Sequence, residues 1–187
     1  MAGSVGSVGR DEMIDSLFGT IKVQYLVKCD PAKTGLAWSV FLAQSDLLPA
    51  VKLLYRANYF LEDLTAIDAK EGYLAVYHFD HIDSPGRVAL RVLTSHEAPE
   101  LPSIASVYQG AEWHERETTD FYGITFTGNP NPVPLLLAPD MTEHPLQKTE
   151  AQRAFLWDLF PPAEPLRAAA DFTLLTPAAK LAETGEA

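Results

Sequence analysis

The chain has 187 residues, with 25 Asp and Glu against 14 Lys and Arg, a formal net charge of −11 at pH 7, and 47% apolar residues. That length is one domain plus tails, and the composition excludes wholesale disorder. The acidity speaks against a nucleic-acid partner and against adsorption to anionic lipid, since both need a basic face. Residues 1–10 are rich in Gly, Ser and Ala with no apolar run, so they read as a flexible leader and not as a secretory signal. A cytoplasmic protein is expected. The richest apolar windows, 74–77 and 133–138, fall far short of the ~20 residues of a membrane span.

A short helix is expected over 11–18, stopped by Gly19. Two β-rich runs, 21–29 and 36–44, flank the turn-forming cluster Asp30-Pro31-Ala32-Lys33-Thr34-Gly35. Ser45 or Asp46 then caps an amphipathic helix whose stripe is Leu47, Leu48, Val51, Leu54 and Tyr55. Three strands follow over 61–68, 73–80 and 87–95, the first two joined by Lys70-Glu71-Gly72. In the third, Val88, Leu90 and Val92 alternate with Arg87, Ala89 and Arg91, which predicts an antiparallel meander with one buried face. The loops between these strands are too short for parallel crossovers.

Ser103 is expected to begin a second helix, with Ile104, Val107, Tyr108 and Ala111 on one face and Gly123 ending it. From Pro130 onward lie nine of the 14 prolines, one expected helix over 150–160, and no second core. The side chains Leu135, Leu136, Leu137, Phe155, Trp157 and Phe160 would be buried on another protein. The expected organisation is therefore a leader (1–10), an α+β domain (11–128) and a Pro-rich extension (129–187) that wraps a partner. The domain is expected to hold a small antiparallel or mixed sheet flanked by helices.

Chemistry is hard to place. The single Cys29 builds neither a disulfide nor a Cys-based zinc or iron–sulfur site, and reads as a small apolar filler. His78 and His81 fall on or just after a strand, where their spacing points them to opposite faces. His114-Glu115 begins like a zincin motif, but Thr118 stands where its second histidine would be. No Gly-rich nucleotide loop and no nucleophile elbow is present. No catalytic, metal-binding or cofactor-binding residue is expected on the chain.

The densest charged segment runs from Glu112 to Asp120. On a helix, Glu112 with Arg116 and Arg116 with Asp120 are both i,i+4 pairs of opposite sign. A solvated ladder is one reading. The aromatic neighbours Trp113, Phe121 and Tyr122 favour another, a partly buried seam or a contact between proteins, centred on Arg116.

At this segment the sequence resembles a known family. Trp113-x-Glu115-Arg116-Glu117-x-x-Asp120-Phe121-Tyr122-Gly123-Ile124-x-Phe126-x-Gly128 is similar to the signature of the complex I 30 kDa subunit family, found in bacterial NADH:quinone oxidoreductase. Glu143-His144-Pro145-Leu146-x-Lys148 resembles that family's downstream G-H-P-L-R-K segment. The sequence departs from the pattern at Asn129, where histidine is usual. It departs again at Pro132, Val133 and Pro134, where a basic residue is usual, and at Gln147, where arginine is.

The resemblance implies an α+β subunit that is itself non-catalytic and binds no cofactor. It implies docking, through the signature residues, onto the large hydrogenase-like subunit of the quinone site and the small iron–sulfur subunit. Attachment would be peripheral, on the cytoplasmic side of the bacterial cell membrane, without insertion. The complex would use iron–sulfur clusters and quinone, with NADH and flavin where an NADH-oxidising module is present. The alternatives are the equivalent subunit of an energy-converting hydrogenase or formate-hydrogen-lyase-like complex and, from another class, a freestanding soluble enzyme.

Overall fold

The computed structural model describes residues 14–160 and 163–177. The expected leader and the first three residues of the expected 11–18 helix lie outside the described residues. Residues 14–17 are helical and pass into a 3-10 turn, Phe18–Thr20, that runs through Gly19. Strand β1 (Val23–Lys28) follows. Asp30 accepts from Ala32 N at 3.1 Å to cap the four-residue α1 (Pro31–Thr34), which leads to β2 (Trp38–Leu42). Helix α2 (Gln44–Arg56) starts earlier than expected, because Ala43 and not Ser45 or Asp46 is its N-cap. It buries Leu47, Ala50, Val51 and Leu54, whereas Tyr55 is exposed. Its large buried side chains each contribute about 1.5–3 kcal/mol.

The meander forms as β3 (Tyr59–Ala69), β4 (Gly72–His81) and β5 (Val88–Thr94), with antiparallel pairing throughout. Gly72, at φ 143°, turns the first hairpin so closely that an added Cβ would run into the Thr94 carbonyl. β5 then lies parallel to β2, in the register Trp38↔Val88 to Leu42↔Val92. The chain reaches that position through α2 and a whole hairpin, so no short crossover is needed. The six-stranded sheet is mixed, in the order β3-β4-β5-β2-β1-β8, where β8 is Arg167–Ala168.

Both faces of this sheet are covered, which corrects the expectation of one buried face. On one side Val40, Leu64, Tyr77, Phe79, Leu90 and Val92 pack with α2 and with Ile104, Ile124 and Phe126. On the other, Tyr25, Val27, Phe41, Leu74, Val76 and Ala89 meet Leu156, Phe160, Phe172 and Leu175 from the C-terminal region. That region therefore does contribute to a core, against the expectation that it has none. β8 adds to β1 by the pairs Tyr25↔Ala168 and Leu26↔Arg167. The Arg167 guanidinium donates to the carbonyls of Phe18 and Asp15, each at 3.0 Å, and ties the two ends of the fold together.

Two expected helices come out differently. The helix expected from Ser103 forms only as α3 (Ala111–Tyr122). Ser103 instead extends the parallel pair β6 (Glu100–Pro102) and β7 (Thr125–Thr127) by donating its backbone N–H to Thr127 O at 2.9 Å. The Ile104 N–H is taken by a carboxylate from α3, and 104–108 makes a single turn. Ile104 and Ala111 remain fully buried all the same. The helix expected over 150–160 splits into a 3-10 turn, Glu150–Gln152, and the short α4 (Leu156–Leu159). Tertiary bonds hold the stretch between them extended. Lys70 N donates to Ala154 O at 3.0 Å, Leu156 N donates to the Glu71 carboxylate at 3.1 Å, and Arg153 Nε lies 2.8 Å from the buried Asp68.

Candidate functional site

Helix α3 carries most of the signature, and its side chains divide between two tasks. Glu115 faces inward, fully buried, and its carboxylate accepts from Ser103 Oγ, Ile104 N and Asn129 Nδ2, each at 2.7 Å. Burial pushes this carboxyl above its ordinary value, against the opposing effect of those donors. The three donors come from two loops that are remote in sequence, so Glu115 locks both onto the helix.

Glu112, Arg116 and Asp120, one turn apart, grip the proline-rich segment that follows β7. Glu112 Oε1 receives both Arg116 Nη1 and Asn131 Nδ2 at 3.0 Å. Arg116 also donates to Val133 O from Nε at 2.8 Å and to Pro134 O from Nη2 at 3.1 Å. Asp120 Oδ2 then takes the backbone N–H groups of Leu135, Leu136 and Leu137, at 2.9, 2.7 and 3.1 Å. Burial works to raise the Asp120 carboxyl, but the three N–H groups and Arg116 outweigh it and hold it below its ordinary value. The expected ladder is thus half right. Glu112 pairs with Arg116, but Asp120 is occupied by the backbone.

The end of α3 is fastened as firmly. His144 Nδ1 donates to Asp120 O at 2.8 Å, Leu146 N to Phe121 O at 3.1 Å and Gln147 Nε2 to Tyr122 O at 2.9 Å. These supply partners for carbonyls that a helix C-terminus leaves open. Gly123, at φ 76°, ends the helix beneath the His144 ring, where an added Cβ would lie 2.8 Å from Cδ2 and Nε2. Gly123→Ala is therefore expected to cost about 2 kcal/mol, from the left-handed backbone and the displaced imidazole together. The shift would be read as a lower urea midpoint.

The other signature residues are spread out. Ile124 and Phe126 are core, Tyr122 packs edge-on to Tyr73, and Gly128 turns the chain at φ 91°. Trp113 is 63% exposed, despite the expectation that so aromatic a helix is covered, and with Glu117 and Leu135 it lines a shallow depression. Pro145 and Leu146 are exposed. Lys148 contributes its backbone, donating to Asp68 Oδ2 at 2.7 Å. A cavity of about 360 Å³ lies between α3 and the clasped segment, with Phe126, Val133, Leu137 and Met141 in its walls.

Sequence reasoning missed Asn129 and Gln147 as working residues, because both read only as departures. Asn129 bridges Glu115 and Glu112 O, and its Oδ1 accepts from Asn131 N at 2.9 Å, the short-range bond that an Asn-Pro-Asn turn favours. Asp68 was missed altogether. It is buried under His96, Arg153 and Lys148, brought together from distant parts of the chain. His78 pairs with Asp63 at 2.7 Å and His81 Nδ1 accepts from Ser84 N at 3.1 Å. Among the described residues no group of three His, Cys, Asp or Glu could hold a metal ion, and no helix is long and apolar enough to cross a membrane.

Residues 40–170 match a family model described as the respiratory-chain NADH dehydrogenase, 30 Kd subunit. Among curated proteins, the NADH-quinone oxidoreductase C-subunit of Roseiflexus castenholzii is 38% identical over 93 residues, 48% of this chain and 53% of that protein. The chain thus spans about half the length of the curated C-subunits it matches, and 18% of proteins in which the C and D subunits are fused. Among solved structures, a trypsin-resistant fragment of Nqo5 shares the fold at TM-score 0.52 and 20% identity, covering 65% of this chain and 98% of that one. A chain of the membrane-bound sulfane sulfur reductase, an archaeal respiratory membrane complex, does so at TM-score 0.59 and 16% identity, covering 88% and 98%.

Proposed function

Because the chain belongs to the 30 kDa subunit family of the respiratory-chain NADH dehydrogenase, we propose that it is a non-catalytic peripheral-arm subunit of an NADH:quinone oxidoreductase. In this reading it binds no cofactor, docks and stabilises the large quinone-site subunit beside the small iron–sulfur subunit, and reaches the membrane only through them. Clusters, quinone and any flavin belong to those partners. One observation carries the reading. Of the ten large apolar side chains left exposed among the described residues, five stand on α3 and the segment it clasps: Trp113, Val133, Leu136, Met141 and Leu146. Their backbone is fixed by Arg116, Asp120 and the α3 carbonyls, so an apolar surface is presented with little ordering left to do on binding.

Leu136 tests this directly, since its side chain is 59% exposed. Leu136→Asp should leave the melting temperature of the full chain unchanged. A buried unpaired carboxylate costs several kcal/mol, so the variant should lose its large subunit when the tagged chain is purified from solubilised membranes. Recovery of the wild-type chain alone, or an undiminished complex with the variant, would refute the assignment. The fold shared with the sulfane sulfur reductase chain supports a second reading, in which the same surface serves a complex with another electron donor, such as an energy-converting hydrogenase. The co-purified large subunit separates the two, because nickel-ligating cysteine pairs would mark the hydrogenase.

A further inference from the structure

The outer face of the sheet buries a cation without an anion. Arg91 on β5 is only 6% exposed. Its Nη1 donates to Ser39 Oγ, and its guanidinium lies 4.6 Å from the centre of the Phe160 ring and 5.6 Å from that of Phe41. The buried Nε has no acceptor among the described residues. The nearby acids are engaged elsewhere: Glu62 with Arg87, Asp63 with His78, and Asp30 as the cap of α1. Cys29 supplies no negative charge, because burial holds its thiol above the usual value. Burial pulls the guanidinium down to about 10, which still leaves it charged at neutral pH. An unpaired buried charge is a large cost for a position that packing alone would fill with leucine or methionine.

Arg91 stands in the wall of two cavities, of about 540 and 450 Å³, which share Arg91 and Phe160. The larger is lined by Tyr25, Leu36, Phe41, Leu159 and Leu175, with Ser39 beside the cation. Its size and its mostly apolar wall with a few polar groups are those of a small-molecule site. We propose that this cavity binds a small amphiphilic monocarboxylate, its carboxylate on the Nε edge of Arg91 and its apolar body between Phe41, Phe160 and Leu175. A single guanidinium neutralises a single charge. A dianion such as phosphate would bring a second charge into a wall that also carries Asp30.

The test is calorimetric titration of the full chain with octanoate and with octan-1-ol, an uncharged molecule of the same length. Octanoate should bind saturably and one to one. The alcohol should bind about tenfold or more weakly, the ratio expected for losing a hydrogen bond to a charged group. Arg91→Met, which keeps the alkyl packing, should bring the ratio to parity, while Phe160→Ala should weaken both ligands alike. Arg91→Lys, which keeps the charge and loses the planar fork, should fall between and serves if the Met variant does not fold. Absence of saturable octanoate binding, wild-type parity between the two ligands, or an unchanged ratio in both Arg91 variants would overturn the site.

Discussion

Glu115→Ala should destabilise the chain by about 3–5 kcal/mol, the largest loss expected of any single substitution on α3. The carboxylate is fully buried and satisfies Ser103 Oγ, Ile104 N and Asn129 Nδ2 at once. Its removal leaves three donors unpaired out of reach of solvent, at ~1–3 kcal/mol each before relaxation. The loss is a large part of the ~5–15 kcal/mol that holds a domain together. Glu115→Gln keeps one acceptor oxygen and should cost less, and its pH dependence is diagnostic. The folded Glu115 carboxyl is raised above its ordinary 4.5, so the folded state binds the proton more tightly than the unfolded one. The resulting stability is complete below the unfolded value and is lost as pH rises through the folded value. The deficit of Glu115→Gln relative to the wild type should therefore be larger below pH 4.5 than at neutrality. Urea midpoints across that range measure it, and a constant deficit would show that Glu115 does not titrate as described.

The second large effect falls on Arg116, and more on assembly than on folding. The Arg116 side chain is 12% exposed and Glu112 23%, so their pair is neither fully solvated nor sealed. The Val133 and Pro134 carbonyls that Arg116 holds lie near the surface, where water can replace the guanidinium. Arg116→Ala should then cost about 2 kcal/mol, above the ~0–1 of a solvent-exposed pair and below the ~3–5 of a buried one. Its consequence for the proposed docking surface is greater, because the segment carrying Val133 and Leu136 loses one of its two clasps. Amide exchange at Leu135, Leu136 and Leu137 should speed up while the sheet stays protected, and co-purification with the large subunit should fall. Arg116→Lys should rescue only in part, since one ammonium cannot reach Glu112 and two carbonyls together. Asp120→Ala frees the same segment from its other side, so the double variant should cost less than the two single losses added. Full additivity with unchanged exchange would mean that Arg116 and Asp120 act independently, and that the segment is held by something else.

Several features of this protein were settled by sequence alone. The 3.6-residue stripe from Leu47 to Leu54 requires a helix against a core, and the β3–β4–β5 meander follows from alternation and short loops. Gly123 had to end α3, because a left-handed residue was needed there. The signature itself was legible down to Arg116 and Asp120, since residues four apart share one side of a helix. These are local properties, fixed by neighbours in the chain.

What only the tertiary structure decided concerns bonding partners remote in sequence. The stretch from Ser103 to Tyr108 has a helical pattern, yet it gives up most of its helix because Glu115 and the β6–β7 pair claim its donors. The region over 150–160 breaks because Asp68, Lys70 and Glu71 hold its middle extended. Asp120 answers three backbone N–H groups and leaves Arg116 to the carbonyls, a division that no i,i+4 rule contains. Arg91 reads as an outward residue of an alternating strand and becomes buried once Phe160 and Leu175 cover the sheet. In each case the local preference amounts to tenths of a kcal/mol per residue. A buried polar group that finds its partner avoids a penalty of kilocalories, so the long-range bond wins.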